Sequence, residues 1–336
     1  MGRVLSNRPG GGPRDHDSVW ANIVNTYRRW ESDEVSGAAV SLCFGGQTIE
    51  TVTDEEGYYR GEFRFSGSDE QTLEWVQVLA RTAGKIGDIY ATHDVLVPGS
   101  GAQFGVISDL DDTVIETGVT NLLLAAKLTF LANAKTRKPL EGVAELYRAL
   151  RHGTAGAPVN PIFYVSSSPW NLYELLAEFM ELNEIPAGPL LLQDLGIDAA
   201  TFISPHGHEH KLDHALRIMA AYPRLPFILV GDSGQQDAHL YAEAARQHGS
   251  RIKAIYIRDV DPVTATARDE DVGRMIARAR EHGVPMLLAP NSGMISHHAA
   301  ELGLIPGERL PAIEAGVERD EQRLSTGAQA AADAAS

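Results

Sequence analysis

The sequence predicts an α/β protein: a parallel sheet covered by helices on both faces, preceded by a small antiparallel β-sandwich. Three observations carry this. After residue 103, six short apolar runs alternate with amphipathic stretches. Between residues 36 and 98 apolar residues instead recur at every second position, with turn chemistry between the runs. The two regions are joined by "VPGSGAQ", a linker-like stretch of small residues and proline. Continuous apolar strands separated by helices imply burial on both faces, and hence parallel pairing. Alternating strands imply a half-buried antiparallel sheet.

Taken from the N-terminus, residues 1–35 read as an arm followed by an amphipathic helix. "SVWANIVNTYRRW" puts Trp20, Ile23, Val24, Tyr27 and Trp30 on one face, with Ser18 as the N-cap. The sandwich covers 36–98. Val40, Leu42 and Phe44 alternate, as do Phe63 and Phe65, and again Ile89, Ala91, His93, Val95 and Val97. "FGGQ" and "TDEEGYY" supply turns. Residues 103–306 form the α/β domain, with strands "FGVIS", "PIFYV", "PLLLQ", "PFILVG", "KAIYI" and "PMLLA". Helices fall on "GVAELYRALRHG", "SPWNLYELLAEFMEL", "KLDHALRIMAAY" and "QDAHLYAEAARQHG". Residues 307–336 are a C-terminal segment ending in the small-residue tail "GAQAAADAAS", which is expected to be disordered.

Composition narrows the function. The chain has 336 residues, 43% hydrophobic and 22% charged, enough for two domains. A formal net charge of −16 argues against nucleic acid and against permanent docking on an anionic membrane. The longest apolar run, "NLLLAAKLTFLA", is broken by Lys127 and is too short to span a bilayer. "MGRVLSNRPGGG" lacks the apolar core of a secretory signal; Gly2 and Ser6 fit a loose myristoylation pattern, but a plain arm is the simpler reading. One cysteine, Cys43, excludes an internal disulfide and reads as a small strand residue, so a cytoplasmic location is expected.

The chemistry gathers where strands end. In an open α/β sheet, ligands bind beyond the carboxyl ends of the strands. "FGVISDLDDTVIET" places Asp109 and Asp111 there, two residues apart and therefore on one side of an extended chain. Crowded carboxylates need a cation between them. Mg2+ is a hard ion that takes oxygen ligands, and Asp232 after "FILVG" offers a third carboxylate. A calcium loop starting at Asp109 fails, because Thr113, Val114 and Thr120 stand where it needs Asp or Asn, Gly and Glu. Ser166 ends another strand. Ser168 fits a helix N-cap and Pro169 the first helical position, which would aim helix amides at an anion bound beside Ser166 and Ser167. Lys211 starts a helix close to the strand that delivers Asp232.

The order DxDxT, strand-end Ser, Lys, then GDxxxxD resembles the haloacid dehalogenase phosphohydrolase superfamily, whose sheet is Rossmann-like. "FGVISDLDDTVIETG", "IFYVSSSPWNLYELL", "HKL" and "FILVGDSGQQDAHLYAE" more closely resemble the actin-patch-type phosphatidate phosphatase catalytic domain and its bacterial relatives, over residues 100–290. The sandwich with "TDEEGYY" also fits the bacterial members, in which Arg3–Leu5 would be the stub of a first strand. Asp112 stands where lipin-type lipid phosphatases carry glycine, and matches the actin-patch type instead.

The resemblance implies roles. Asp109 would be the nucleophile, and Asp111 the acid that protonates the leaving oxygen and then activates water. Ser166 would hold a phosphoryl oxygen and Lys211 would neutralise the phosphoaspartate. Asp232 with Asp237, together with Asp109 and Asp111, would hold Mg2+. The implied reaction is phosphatidate hydrolysis to diacylglycerol and phosphate, with transient contact between a cytoplasmic protein and a phospholipid surface. A phosphatase for a soluble phosphomonoester or phosphoprotein, and a non-catalytic scaffold, are the competing readings. Physical chemistry fits the first: a carboxylate attacks a phosphate dianion only once Mg2+ and Lys211 cancel the repulsion. A neighbouring carboxylate favours the protonated form that Asp111 needs.

Three weaker signals remain. His206, His208 and His210 alternate in "SPHGHEHKLDH", where a polar loop is a simpler reading than a zinc site. Arg258, after "KAIYI", is placed either to bind phosphate or to pair with Asp259 or Asp261. Leu122, Leu123, Ala126 and Phe130, followed by Lys135, Arg137 and Lys138, read as a core helix or as a lip touching acyl chains and headgroups.

Overall fold

The computed structural model describes residues 2–6, 34–63, 72, 74–84, 87–110, 113–114, 140–193, 209–261 and 267–322. The expected helix over 18–30, the acids Asp111 and Asp112, the lip at 122–138, His206, His208 and the C-terminal tail lie outside these residues. The chain forms two compact units, Met1–Ser100 and Gly101–Ser336.

The first unit is a small two-sheet sandwich. Strands β1 (Gly2–Arg3), β2 (Ala39–Phe44), β3 (Gln47–Val52), β4 (Tyr58–Tyr59), β5 (Glu74–Ala83) and β6 (Asp88–Val97) are its elements. Four of them form an antiparallel sheet in the order β3-β2-β5-β6, and β1 pairs antiparallel with β4. Val40, Leu42, Val78 and Ala80 pack with Tyr59 as the core. In β2 the alternation read in the sequence is the cause: Val40 and Leu42 point inward, while Ser41 and Cys43 point outward. In β6 the expected inward set is corrected: Ile89 and Val95 are exposed, and Leu96, of the opposite parity, is the buried residue. Arg3 is indeed in a strand, opposite Tyr58.

The second unit holds the six predicted apolar strands: β7 (Gly105–Asp109), β8 (Ile162–Pro169), β9 (Leu190–Gln193), β10 (Phe227–Asp232), β11 (Ile252–Arg258) and β12 (Met286–Ala289). All pair in parallel, in the order β12-β11-β10-β7-β8-β9. Seven α-helices are described: α1 (Val143–His152), α2 (Tyr173–Leu182), α3 (Glu209–Ala221), α4 (Asp237–His248), α5 (Ala267–Glu281), α6 (Ser292–Glu301) and α7 (Leu310–Glu321). Residues of α1, α2, α6 and α7 pack with Val106, Tyr164 and Val230 on one face of the sheet. Those of α3, α4 and α5 pack with Ile107, Leu229 and Ile257 on the other. Both faces are therefore buried, which is why the strands lack alternation.

The chain starts this sheet at its centre. It lays down β8 and β9 on one side of β7, then returns to lay β10, β11 and β12 on the other. The order therefore reverses between β7 and β10, and the crevice beyond their carboxyl ends is where a ligand belongs. Val230 faces Ser108 across this pair, so Asp109 and Asp232 leave the sheet at the same end.

Candidate active site

Each side chain at this crevice is delivered by a strand end or a helix start. Asp109 closes β7 and Asp232 closes β10; both are fully buried. Asp237 opens α4 and Lys211 lies in the first turn of α3, and both are buried as well. Lys211 Nζ lies 2.6 Å from Asp109 Oδ1 and 3.1 Å from Asp237 Oδ1, and donates to Gln235 Oε1 at 3.0 Å. The Asp232 amide donates to Asp237 Oδ2 at 3.2 Å, and the Gln235 amide to Asp232 Oδ1 at 2.8 Å. Thr113 Oγ1 donates to Asp109 Oδ2 at 3.4 Å. The Asp109 carboxylate is thus oriented through both oxygens.

Electrostatics follow from this packing. Burial alone would pull the Lys211 ammonium below its ordinary value. Asp109, Asp237 and Asp232 outweigh it and hold the group well above that value, so the lysine stays charged. Three carboxylates still face one ammonium here. Their oxygens lie within 4.8 Å of one another in a cluster of Asp109, Asp232 and Asp237. Buried charge is tolerated only when it is paired, and a hard divalent cation suits an all-oxygen donor set of this kind. The residues present therefore fit a metal ion.

Ser166 follows Val165, the register partner of Asp109 on the neighbouring strand. Its Oγ accepts the Ser168 amide at 2.9 Å. Ser167 Oγ is buried and has no hydrogen-bond partner among the described residues, which leaves it a hydroxyl to offer a ligand. The helix-cap expectation for Ser168 and Pro169 is corrected. Strand β8 runs on through Pro169, which pairs with Gln193; a 3-10 turn, Trp170–Leu172, follows. Helix α2 then begins with Leu172 at its N-cap and no side-chain cap. The residue before a proline is driven from the helical region, which keeps Ser168 extended. A proline without N–H also tolerates the end of a strand.

Arg258 sits at the end of β11, opposite Asp232 in register. Its buried guanidinium pairs with Glu141, not with either expected partner, Asp259 or Asp261. Of the alternating histidines only His210 is described; it lies edge-on to His214, next to Lys211. Sequence reasoning missed Glu141, Gln235, Thr113 and the buried pair Ser108 and Tyr147, whose oxygens are 2.6 Å apart. Thr113 and Gln235 stood inside quoted motifs. Glu141 carried no local signal at all.

Residues 104–259 match the family model described as the phosphatidate phosphatase APP1 catalytic domain. This segment is similar to the APP1 catalytic-domain family. The match begins one residue before β7 and ends one residue after β11, so it contains Asp109, Ser166, Lys211, Asp232, Asp237 and Arg258. The chain is 34% identical, over 46% of its own length, to Saccharomyces cerevisiae phosphatidate phosphatase APP1, of which it covers 25%. It is 27% identical, over 62% of its length, to an uncharacterised protein of Schizosaccharomyces pombe, of which it covers 34%. The chain therefore spans between a quarter and about a third of these relatives. Among solved structures, the PilB minor pilin of Streptococcus sanguinis is similar at a TM-score of 0.30 and 7% identity, covering 80% of this chain and 87% of that one. That likeness is too slight to bear on fold or function.

Proposed function

We propose that the protein is a Mg2+-dependent phosphohydrolase that works through a phosphoaspartate, with phosphatidate as substrate and diacylglycerol and phosphate as products. The observation that carries this is the buried constellation of Asp109, Lys211, Asp232 and Asp237 at the β7/β10 switch point. The substrate rests on the APP1 relative and its family.

In this reading an oxygen of Asp109 attacks phosphorus, and the P–O bond to the alcohol breaks. Lys211, beside Asp109 and already charged, neutralises the acyl phosphate that forms. Ser166 and the unpartnered Ser167 hydroxyl hold phosphoryl oxygens. Asp111, outside the described residues, gives its proton to the leaving alkoxide and then takes one from the water that frees phosphate. Asp109, Asp111 and Asp232 would hold Mg2+, with Asp237 behind them; the ion supplies charge neutralisation for the incoming phosphate. Arg258, whose guanidinium also holds Glu141, would add a cationic group to phosphate binding. Work from the cytoplasm with transient contact at a phospholipid surface suits a chain of net charge −16.

A panel of phosphate esters tests this, with phosphatidate in mixed micelles beside soluble phosphomonoesters and a phosphopeptide. Mg2+-dependent phosphate release highest on phosphatidate, and absent with Asp109→Asn, is expected. Preference for a soluble ester moves the substrate assignment. No release from any ester favours the scaffold reading.

A further inference from the structure

Two hydroxyls are buried in an apolar cluster directly behind Asp109. Ser108 lies on β7, wholly buried, on the face packed by α1. Tyr147 of α1 is also buried and stacks on Tyr164 at 6.1 Å between ring centroids. Ser108 Oγ donates to the Asp109 carbonyl at 2.6 Å and lies 2.6 Å from the Tyr147 oxygen. A serine hydroxyl has one proton, and here it is committed to the carbonyl. The phenol must therefore be the donor to Ser108. Burial keeps the Tyr147 phenol well above its ordinary range, so it holds its proton; the Asp109 charge adds in that direction, against the bond to Ser108.

A phenylalanine would fill the same space and stack on Tyr164 without bringing a polar atom into the core. Leaving a hydroxyl there costs free energy unless it is bonded. The bonded chain runs one way, from Tyr147 through Ser108 to the peptide of Asp109.

We propose that Tyr147 is a positioning residue for the reaction: through Ser108 it fixes the Asp109 peptide, and with it the angle at which the carboxylate meets a substrate phosphorus. The inference rests on the phosphohydrolase reading. Both Asp109 oxygens are engaged at the front, by Lys211 and Thr113, while the carbonyl behind is held by Ser108. A small rotation of this peptide would misalign attack while leaving the phosphate-binding serines on β8 in place.

The test compares wild type, Tyr147→Phe, Ser108→Ala and the double variant on one soluble phosphomonoester with Mg2+, with unfolding curves for all four. Each single change is expected to lower kcat about tenfold with KM within about twofold. The double variant should be no worse than the weaker single variant, because both changes cut one chain. Unchanged kcat in folded Tyr147→Phe overturns the proposal. So does a double loss equal to the product of the two single losses, or a loss expressed in KM alone. If Ser108→Ala does not fold, Tyr147→Phe decides alone through its kcat and KM. Absence of turnover by wild type instead overturns the phosphohydrolase reading, and that outcome is distinct from all the others.

Discussion

Asp237 presses so closely on Gly231 that a β-carbon there would lie 2.6 Å from both Cβ and Oδ2 of Asp237, and 2.8 Å from Tyr241 Cε2. Glycine in "VGDSGQQD" is therefore a spatial requirement: it lets the first turn of α4 reach the end of β10, where Asp237 receives the Asp232 amide. Gly231→Ala should push Asp237 away and lower Mg2+ affinity at least tenfold by calorimetry. Overpacking should also destabilise the unit by about 1–3 kcal/mol in urea unfolding. Gly273 of α5 is the control, since a β-carbon there meets nothing within 4 Å. Gly273→Ala should leave Mg2+ binding alone and stabilise by up to about 1 kcal/mol.

Lys211 is the ammonium among three buried acids of the site, so its removal should expose their repulsion. Lys211→Met is expected to destabilise the protein by about 3–5 kcal/mol without metal, with Mg2+ recovering part of that in thermal melts. Phosphate release should fall by at least about a thousandfold. The pH dependence has a definite sign. A lysine held above its ordinary pKa contributes its full stabilisation below that ordinary value, about 10.4, and loses it as pH rises through the folded one. The stability gap between wild type and variant should therefore be flat from about pH 6 to 9 and narrow only in stronger alkali. A gap that closes near neutrality would show that Lys211 is not held by these acids.

Much of this site was legible because its parts are local. Asp109, Ser166 and Asp232 each follow an apolar run, and an apolar run of that length is a strand whose end can be placed. Gly231 and Asp237 sit in the same short motif as Asp232. What escaped was long-range or set by one backbone preference. Glu141 meets Arg258 across 117 residues and Tyr147 meets Ser108 across 39, and neither spacing leaves a periodic trace. Arg258 has acidic neighbours in sequence, so a local pairing looked sufficient; the fold buries its head towards α1 instead. Ser168 was misread because Ser-Pro is good helix-start chemistry as well as good strand-end chemistry, and only the pairing of Pro169 with Gln193 decides between them.

The Glu141–Arg258 pair lies at the end of β11, with Arg258 buried and Glu141 partly so. Glu141→Gln takes one carboxylate from the buried guanidinium and should destabilise by up to about 3–5 kcal/mol. Arg258→Lys should not match wild type, because an ammonium lacks the planar fork. The double change Glu141→Leu with Arg258→Met removes both charges and should recover most of the loss in urea unfolding. A double variant as unstable as the worse single one would mean that the pair has another essential partner.

Helix α7 lies outside the segment matched to the APP1 catalytic domain, yet it completes that domain's packing. Ile313 joins the cluster that contains Val106 of β7 and Leu146 of α1. Asp320, almost fully buried, accepts the Gly142 amide at 3.1 Å through Oδ2, from 178 residues away. Gly142 is the N-cap of α1 and has no side chain with which to cap it, at φ 69°. A carboxylate at this helix start both satisfies a buried backbone donor and complements the dipole. Gly142 must stay glycine, because its φ is positive and a β-carbon would meet Val317 Cγ2 at 2.6 Å. Asp320→Ala should therefore cost about 1–3 kcal/mol, seen as a lower urea midpoint with an unchanged slope. Ending the chain after residue 306 removes Ile313 as well as Asp320, and should abolish cooperative unfolding of the α/β unit. A truncated protein that still melts cooperatively, at the wild-type midpoint, would show that α7 is only an appendage.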